Sequence, residues 1–303
     1  MYRTKQLLTG SNLFDIMNTI LLSLLLVFTL YPFLNVIALS LNDATDSMKG
    51  GIYLLPRKFT LFNYQDLIRD SHIWHAGMIS LLRTVIAVVS GVFLTAMVAY
   101  TISRKDYVLR SFITMAYVFT MYIDGGLIPT YFLIRDVGLV NNFAVYVLPG
   151  IVTAFNLLVI RTYIHSLPES LNESAKIDGA GDFRIFVQII FPLCMPVLAT
   201  IALFIAVSQW NAWFDTFLYA SNNSNLSTLQ YELMKILQSA NQQVTGTMEQ
   251  ALQDASAGQT EHAVTPGSIR ATMTVVSSLP IILVYPFLQR YFVKGLTLGG
   301  VKG

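Results

Sequence analysis

The chain has 303 residues, 54% of them hydrophobic and only 12% charged, with a formal net charge of +2. Soluble domains carry about 25% charged residues, so this composition points to a polytopic membrane protein. The near-neutral balance excludes a basic surface for nucleic acid. One cysteine, Cys194, excludes an internal disulfide framework or a thiolate metal cage.

A bilayer core of about 30 Å needs about 20 apolar residues of helix. Six segments meet that requirement, at about residues 16–40, 80–103, 111–134, 141–164, 191–213 and 271–293. The first follows Arg3 and Lys5, is too long for a signal-peptide core and lacks a small-residue cleavage site, so it reads as a retained span. The third is interrupted only by Asp124, and the fourth opens on Asn141 and Asn142. Lipid offers backbone groups no partners, so each span should be a helix and the fold all-α. Lys and Arg density favours a cytoplasmic N-terminus, and six spans then leave both termini cytoplasmic. The whole chain, 1–303, reads as a single transmembrane domain.

This topology places large loops outside at 43–78 and 215–270 and a long loop inside at 165–190. Leu67 to His75 suits a short interfacial helix, and Leu226–Leu237 has apolar residues near helical spacing. Residues 238–267 are rich in Gln, Ala, Ser, Thr and Gly, a poor core composition that reads as a mobile or partner-ordered loop. His72 and His75 have helical spacing for a metal, but no Cys, Asp or Glu cluster supports one, so no metal is expected.

The inner loop is more ordered than a connector needs to be. Pro168-Glu169-Ser170 suits a helix start, and Ser170 with Glu173 fits a capping box. Leu171, Ser174, Ala175 and Asp178 give that helix a small face open to close approach. Gly179 and Gly181 suit a left-handed end. Asp182 then reads as the cap of a second helix that turns Phe183, Phe186 and Ile189 inward before Pro192.

Glu173, Ala175, Gly179, Ile189 and Pro192 stand at the spacing of the EAA signature, which reads Glu-Ala-Ala, three residues, Gly, nine residues, Ile, one residue, Leu, Pro. Ser174 replaces the second position and Phe191 the Leu, both mild changes. The loop therefore resembles that of ABC importer permeases. Leu55–Tyr64, Gly126–Tyr131 with Val137-Gly138-Leu139, and Gln209–Trp213 are similar to segments of sugar permeases, and the tail Gln289–Gly303 to the end of maltose-type subunits. The resemblance implies a type I ABC importer permease fold, with six transmembrane helices and a cytoplasmic coupling helix. It implies that Glu173, Ser174, Ala175, Asp178, Gly179 and Lys302 engage a dimeric cytoplasmic ATPase. It further implies a second, non-identical permease subunit, an extracellular solute-binding lipoprotein, surrounding membrane lipid, and a bacterial plasma-membrane location. ATP and Mg belong to the ATPase, and this chain holds no cofactor.

Sugars need aromatic surface for their CH faces and polar side chains for their hydroxyls. Tyr122, Asp124, Trp210, Asn211 and Trp213, near the outer ends of the third and fifth spans, are the candidates for a substrate pathway. No phosphate-binding G-x-x-x-x-G-K-[ST] loop, Gly-x-Ser-x-Gly elbow or His-Glu-x-x-His helix occurs, so the chain reads as a transport subunit rather than an enzyme. Two other readings stand beside import of an oligosaccharide: an ABC permease for a non-sugar solute, and an ion-coupled secondary transporter with interrupted helices at the bilayer midplane.

Overall fold

The computed structural model describes residues 10–243 and 265–297. Every regular element among them is helical, and the one β-contact is an isolated antiparallel bridge between Asn42 and Phe59. Two compact units are present, one built on Met1–Asp70 and Ile236–Ser277, the other on Ser71–Lys235 and Ser278–Gly303.

In the first unit, α1 (Gly10–Ser40) is apolar on all sides, and every residue from Phe14 to Leu34 is exposed. A long helix with this surface is suited to lipid or to another subunit's helix rather than to water. The chain after α1 is held by side-chain amides. Asn42 Nδ2 donates to Asp46 Oδ2 at 3.2 Å and to Ser47 Oγ at 2.9 Å, while its Oδ1 accepts from Lys58 N at 2.7 Å. Arg57 Nε donates to Asp46 Oδ2 at 2.8 Å and holds that carboxyl below its ordinary pKa. Asn63 Nδ2 reaches back to the carbonyls of Ser40 and Asn42. These bonds fix α2 (Ala44–Ser47) and α3 (Phe62–Arg69) against the end of α1. The helix expected over Leu67 to His75 begins earlier, at Phe62, and breaks at Asp70, where extended backbone separates α3 from the next helix.

The second unit is organised on α4 (Ser71–Ser103). It continues through α5 (Arg110–Thr120), α6 (Leu127–Asp136), a 3-10 turn at Phe143–Tyr146, α7 (Ala154–His165), α8 (Ser170–Ile177) and α9 (Asp182–Ile185). A π-helical segment, Phe186–Ile190, leads into α10 (Phe191–Leu193) and α11 (Met195–Asn211). Then come α12 (Phe214–Tyr219), a 3-10 turn at Ser224–Leu226, α13 (Leu229–Gln243) and α14 (Pro266–Thr297); the last two cross from one unit to the other. Helix α13 matches the helical spacing expected near Leu226–Leu237.

Helix α4 packs chiefly against α11 and α7. Its contact face is small (Ala96, Ala99, Gly91), which lets Leu157, Ile160, Leu198 and Ile201 close over it. Small residues matter here because apolar side chains gain little by leaving lipid, so close packing must hold the helices together.

Among the described residues, three helices are long and apolar enough to cross a bilayer, within Phe14–Ser40, Ser71–Ser103 and Pro266–Val284; Asp182–Leu193 with Met195–Asn211 makes a fourth if that pair, bent by 81°, is one span. The other two expected spans are not continuous helices. Segment 111–134 is divided between α5 and α6 by a break at 121–126, where Gly126 has φ +83°. Segment 141–164 reduces to the 3-10 turn and the 12-residue α7, separated by irregular chain through Pro149 and Gly150. Hydropathy records that these residues are apolar but not that a glycine or proline interrupts them.

The packing of α4 yields a direct test. A Cβ at Gly91 would meet Ile151 O and Ile205 Cδ1, each at 3.3 Å. Gly91→Ala should be tolerated with a small shift, whereas Gly91→Val should destabilise by about 1–3 kcal/mol through overpacking. Thermal unfolding of the detergent-purified variants checks both.

Candidate functional site

Two constellations in the second unit carry chemistry, one at each end of α4. At its C-terminal end lies the loop with the EAA spacing. Helix α8 stops at Asp178, and Gly179 takes the left-handed conformation at φ +75°. Gly179 N–H donates to Lys176 O at 3.0 Å and Ala180 N–H to Ala175 O at 2.9 Å, the two-bond Schellman closure. The left-handed turn expected at Gly179 is therefore present, while Gly181, at φ −70°, takes no part in it.

Other expectations for this loop are corrected. Ser170 is the first helical residue rather than the cap, and no capping box forms at this helix start. Glu169 precedes it, with its carboxylate 2.5 Å from Lys105 Nζ, an attraction that keeps Glu169 below the usual carboxylate pKa. Asp182 likewise lies inside α9, behind Gly181. Phe183 points outward, whereas Phe186 is buried as expected and Ile189 packs half-buried against the core, with Ile185 and Ile190 buried beside them. Ile185, fully buried, lies about 200° around α9 from Phe183, so seating Ile185 turns Phe183 out. Ala175 is buried in this chain's own core, so it seats α8 rather than facing a partner.

Ser174, Glu173, Asp178 and Gly179 are exposed, as is Ile177 at 86%. Neither Glu173 nor Asp178 makes an ion pair among the described residues. The turn after α4 braces the loop from beneath. Lys176 Nζ lies 3.3 Å from Asp106 Oδ2 and 3.7 Å from Asp182 Oδ1, and the Lys176 hydrogen bond lowers the Asp106 pKa. Lys302 lies outside the described residues.

At the N-terminal end of α4, Arg83 is 1% exposed in an otherwise apolar stretch. Nε and Nη2 donate to Gln209 Oε1 at 3.1 and 2.8 Å, and Nη1 donates to Ala212 O at 3.3 Å. Nη1 and Nη2 together grip the Asp215 carboxylate in a bidentate pair. The guanidinium also lies over the Tyr146 ring, 4.4 Å from its centroid. One side chain thus joins α4 to the α11–α12 break and to the 3-10 turn. Around it, Tyr146 OH donates to Leu226 O at 2.6 Å, Leu229 N–H to Ser80 Oγ at 2.9 Å, and Thr216 and Thr228 share a hydrogen bond. Glu232 bonds Ser227 and pairs with Lys235 at 2.7 Å. The sequence reading missed Arg83 as a site residue. Its signal was one arginine inside a long apolar helix, with a matching acid, Asp215, just past another.

The five candidate pathway residues do not converge. Tyr122 and Asp124 are exposed in the break between α5 and α6, where Asp124 Oδ1 accepts from Gly126 N at 3.2 Å. Neither makes a hydrogen bond, ion pair or ring contact with Trp210, Asn211 or Trp213. Trp213 packs edge-on to Phe214, and Asn211 Nδ2 donates to Val207 O in its own helix. Trp210 lines an apolar groove of about 300 Å³ with Leu81, Val85, Val89, Val207 and Val284. The groove's hydroxyl, that of Thr84, is committed to Ser80 O, so by itself this surface suits a hydrocarbon and not a sugar.

Arg83→Ala should cost about 3–5 kcal/mol, because it leaves Asp215 and Gln209 without their donor. Arg83→Lys should recover little, since an ammonium cannot form the bidentate fork. The double variant Arg83→Met with Asp215→Leu should unfold closer to wild type than either single change. Melting temperatures across this cycle in detergent report the coupling.

The family described as "Binding-protein-dependent transport system inner membrane component" matches residues 87–298. The chain is 34% identical over 293 residues to the polygalacturonan/rhamnogalacturonan transport system permease protein YtcP of Bacillus subtilis (strain 168), covering 97% of this chain and 99% of that one. Protein LplC of the same organism is 33% identical over 304 residues, covering 100% and 98%. The fold is similar to a chain in the crystal structure of a bacterial ABC transporter involved in the import of the acidic polysaccharide alginate, with a TM-score of 0.81 and 27% identity over 95% of this chain and 100% of that one. Given an all-α, lipid-suited architecture and a match through the whole second-unit loop region, this chain belongs to the binding-protein-dependent transport system inner membrane components, the permease subunits of ABC transporters, which are not themselves enzymes.

Proposed function

We propose that this chain is one of two permease subunits of an ABC importer that moves an oligosaccharide across the bacterial plasma membrane. An extracellular solute-binding lipoprotein delivers the sugar, and a separate ATPase dimer, carrying ATP and Mg, docks on the 165–190 loop and drives alternating access. The observation that carries this reading is the full-length likeness to a permease named for polygalacturonan and rhamnogalacturonan. Family membership removes the ion-coupled reading.

Six spans with both termini cytoplasmic complete the proposal. The third crossing is α5–α6 with its glycine break, and the fourth is the 143–165 segment with short α7. Contacts within the second unit support this. Residues this topology assigns outside meet one another, as His75 does with Asn225 O at 3.0 Å, and Tyr146, at the outer end of the fourth crossing, meets Leu226 O. Residues it assigns inside do the same, as Lys105 does with Glu169 and Lys176 with Asp106. The exposed face of α8, with Glu173, Ser174, Ile177 and Asp178, is the surface offered to the ATPase; Ala175 and Gly179 set its position and its end.

Purification of the assembled complex, followed by ATPase assays in nanodiscs with the binding protein and a panel of neutral and acidic oligosaccharides, tests class and cargo together. A co-purifying ATPase that accelerates with one sugar is expected; no ATPase in the presence of the sister subunit would overturn the reading. Gly179→Val should abolish uptake while leaving membrane insertion intact, since a β-branched residue disfavours φ +75°. Normal uptake by that variant would remove the coupling role from this loop.

A further inference from the structure

A groove of about 480 Å³ lies between α5 and α7, lined by Arg110, Ser111, Thr114, Met115, Val118 and Arg161. The two arginines come from the start of α5 and the last turns of α7, so they stand at the same end of this helix pair. Neither forms an ion pair among the described residues, and no carboxylate lines the groove. Arg161 Nε is buried without a hydrogen-bond partner. An unsatisfied buried guanidinium donor is costly, and that cost falls when an anion occupies the space beside it.

Two further features point the same way. The first turn of α5 has free backbone donors and no side-chain cap, because Leu109 stands at the cap position. The Ser111 hydroxyl makes no hydrogen bond among the described residues. Nearby, His165 lies within electrostatic reach of Arg161, Arg110 and Lys105. Away from the arginines the groove becomes apolar through Met115 and Val118, and Phe112 and Phe119 on α5 are exposed beside it. A soluble anion has no use for that apolar continuation, whereas a diacyl lipid fills both parts.

We propose that the α5–α7 groove binds one anionic phospholipid, its phosphate between Arg110 and Arg161 and an acyl chain along Met115 and Val118. The proposal rests on the topology above, which puts this end of both helices at the cytoplasmic leaflet, where anionic headgroups meet basic pockets between helices. The lipid then sits beside the loop that receives the ATPase, next to the Lys105–Glu169 pair.

The test is native mass spectrometry of the assembled importer extracted from phosphatidylcholine vesicles with or without phosphatidylglycerol. Wild type should retain phosphatidylglycerol through washing. The variant R110Q/R161Q should retain it roughly tenfold less or worse, and R110K/R161K should lie between. M115E adds a negative charge at an exposed position and should also shed the lipid, giving a second reading if the arginine variants fold poorly. Inorganic phosphate in excess should not displace it. Equal retention by R110Q/R161Q, or displacement by phosphate alone, overturns the proposal, as does loss of the ATPase from R110Q/R161Q with lipid retention unchanged. Val108→Cys, at a position 91% exposed, reports the side of the membrane independently through an impermeant maleimide. Labelling only in inverted vesicles, with lipid retention unaltered by the variants, removes the lipid site and leaves the topology standing; labelling from outside removes both.

Discussion

An arginine cannot sit buried in an apolar bundle without a partner for every donor, and Arg83 satisfies that constraint in full. Its five N–H groups account for five hydrogen bonds, to Gln209, Ala212 O and Asp215. These bonds can form only if α11 ends where it does, at Asn211, so that the chain turns and brings Asp215 back over α4. They also require Tyr146 beneath the guanidinium, which fixes the 3-10 turn. The irregular segments at this end of the second unit are thus shaped around one charge. This is the expected behaviour of an ionisable group at membrane depth: it is expensive, so its surroundings are specified.

The other end of α4 is built differently. Lys105, Asp106, Glu169, Lys176 and Asp182 form exposed ion pairs, which solvent screens and which contribute little to stability. What seats the loop is apolar: Ala175, Ile185, Phe186 and Ile190 are buried in the core with Leu157 and Ile160. The surface charges orient α8, and the core anchors it. An exposed Ile177 beside unpaired Glu173 and Asp178 leaves that helix with an outward face its own chain does not satisfy.

How far the sequence disclosed this depends on what each signal encodes. Spans such as α1, α4 and α14 were legible because an uninterrupted apolar run has few other solutions in a bilayer. The third and fourth were legible as apolar but not as broken, since Gly126 at φ +83° and the chain around Pro149 act through backbone conformation, which hydropathy does not weigh. In the inner loop, spacing disclosed the glycine turn because few residues tolerate φ +75°. The facing of Phe183 was misread because Ile185, about 200° around the same helix, takes the inward place, and apolar spacing alone does not say which of two faces the core claims. The capping box failed for a related reason: the helix begins at Ser170 itself, behind Glu169, whose side chain pairs with Lys105.

From Arg83 to its end at Ser103, helix α4 runs about 30 Å and contains no proline. Arg83 clasps it by a buried, fully bonded charge whose disruption costs several kcal/mol; at its C-terminal end Ala99, Tyr100 and Ile102 pack into the core that seats the loop, with exposed ion pairs around it. The helix is thus anchored by a charge toward one end and by packing at the other. Between them, small residues on α4 let α7 and α11 pack closely, so a displacement at the loop is shared by three helices rather than absorbed by one.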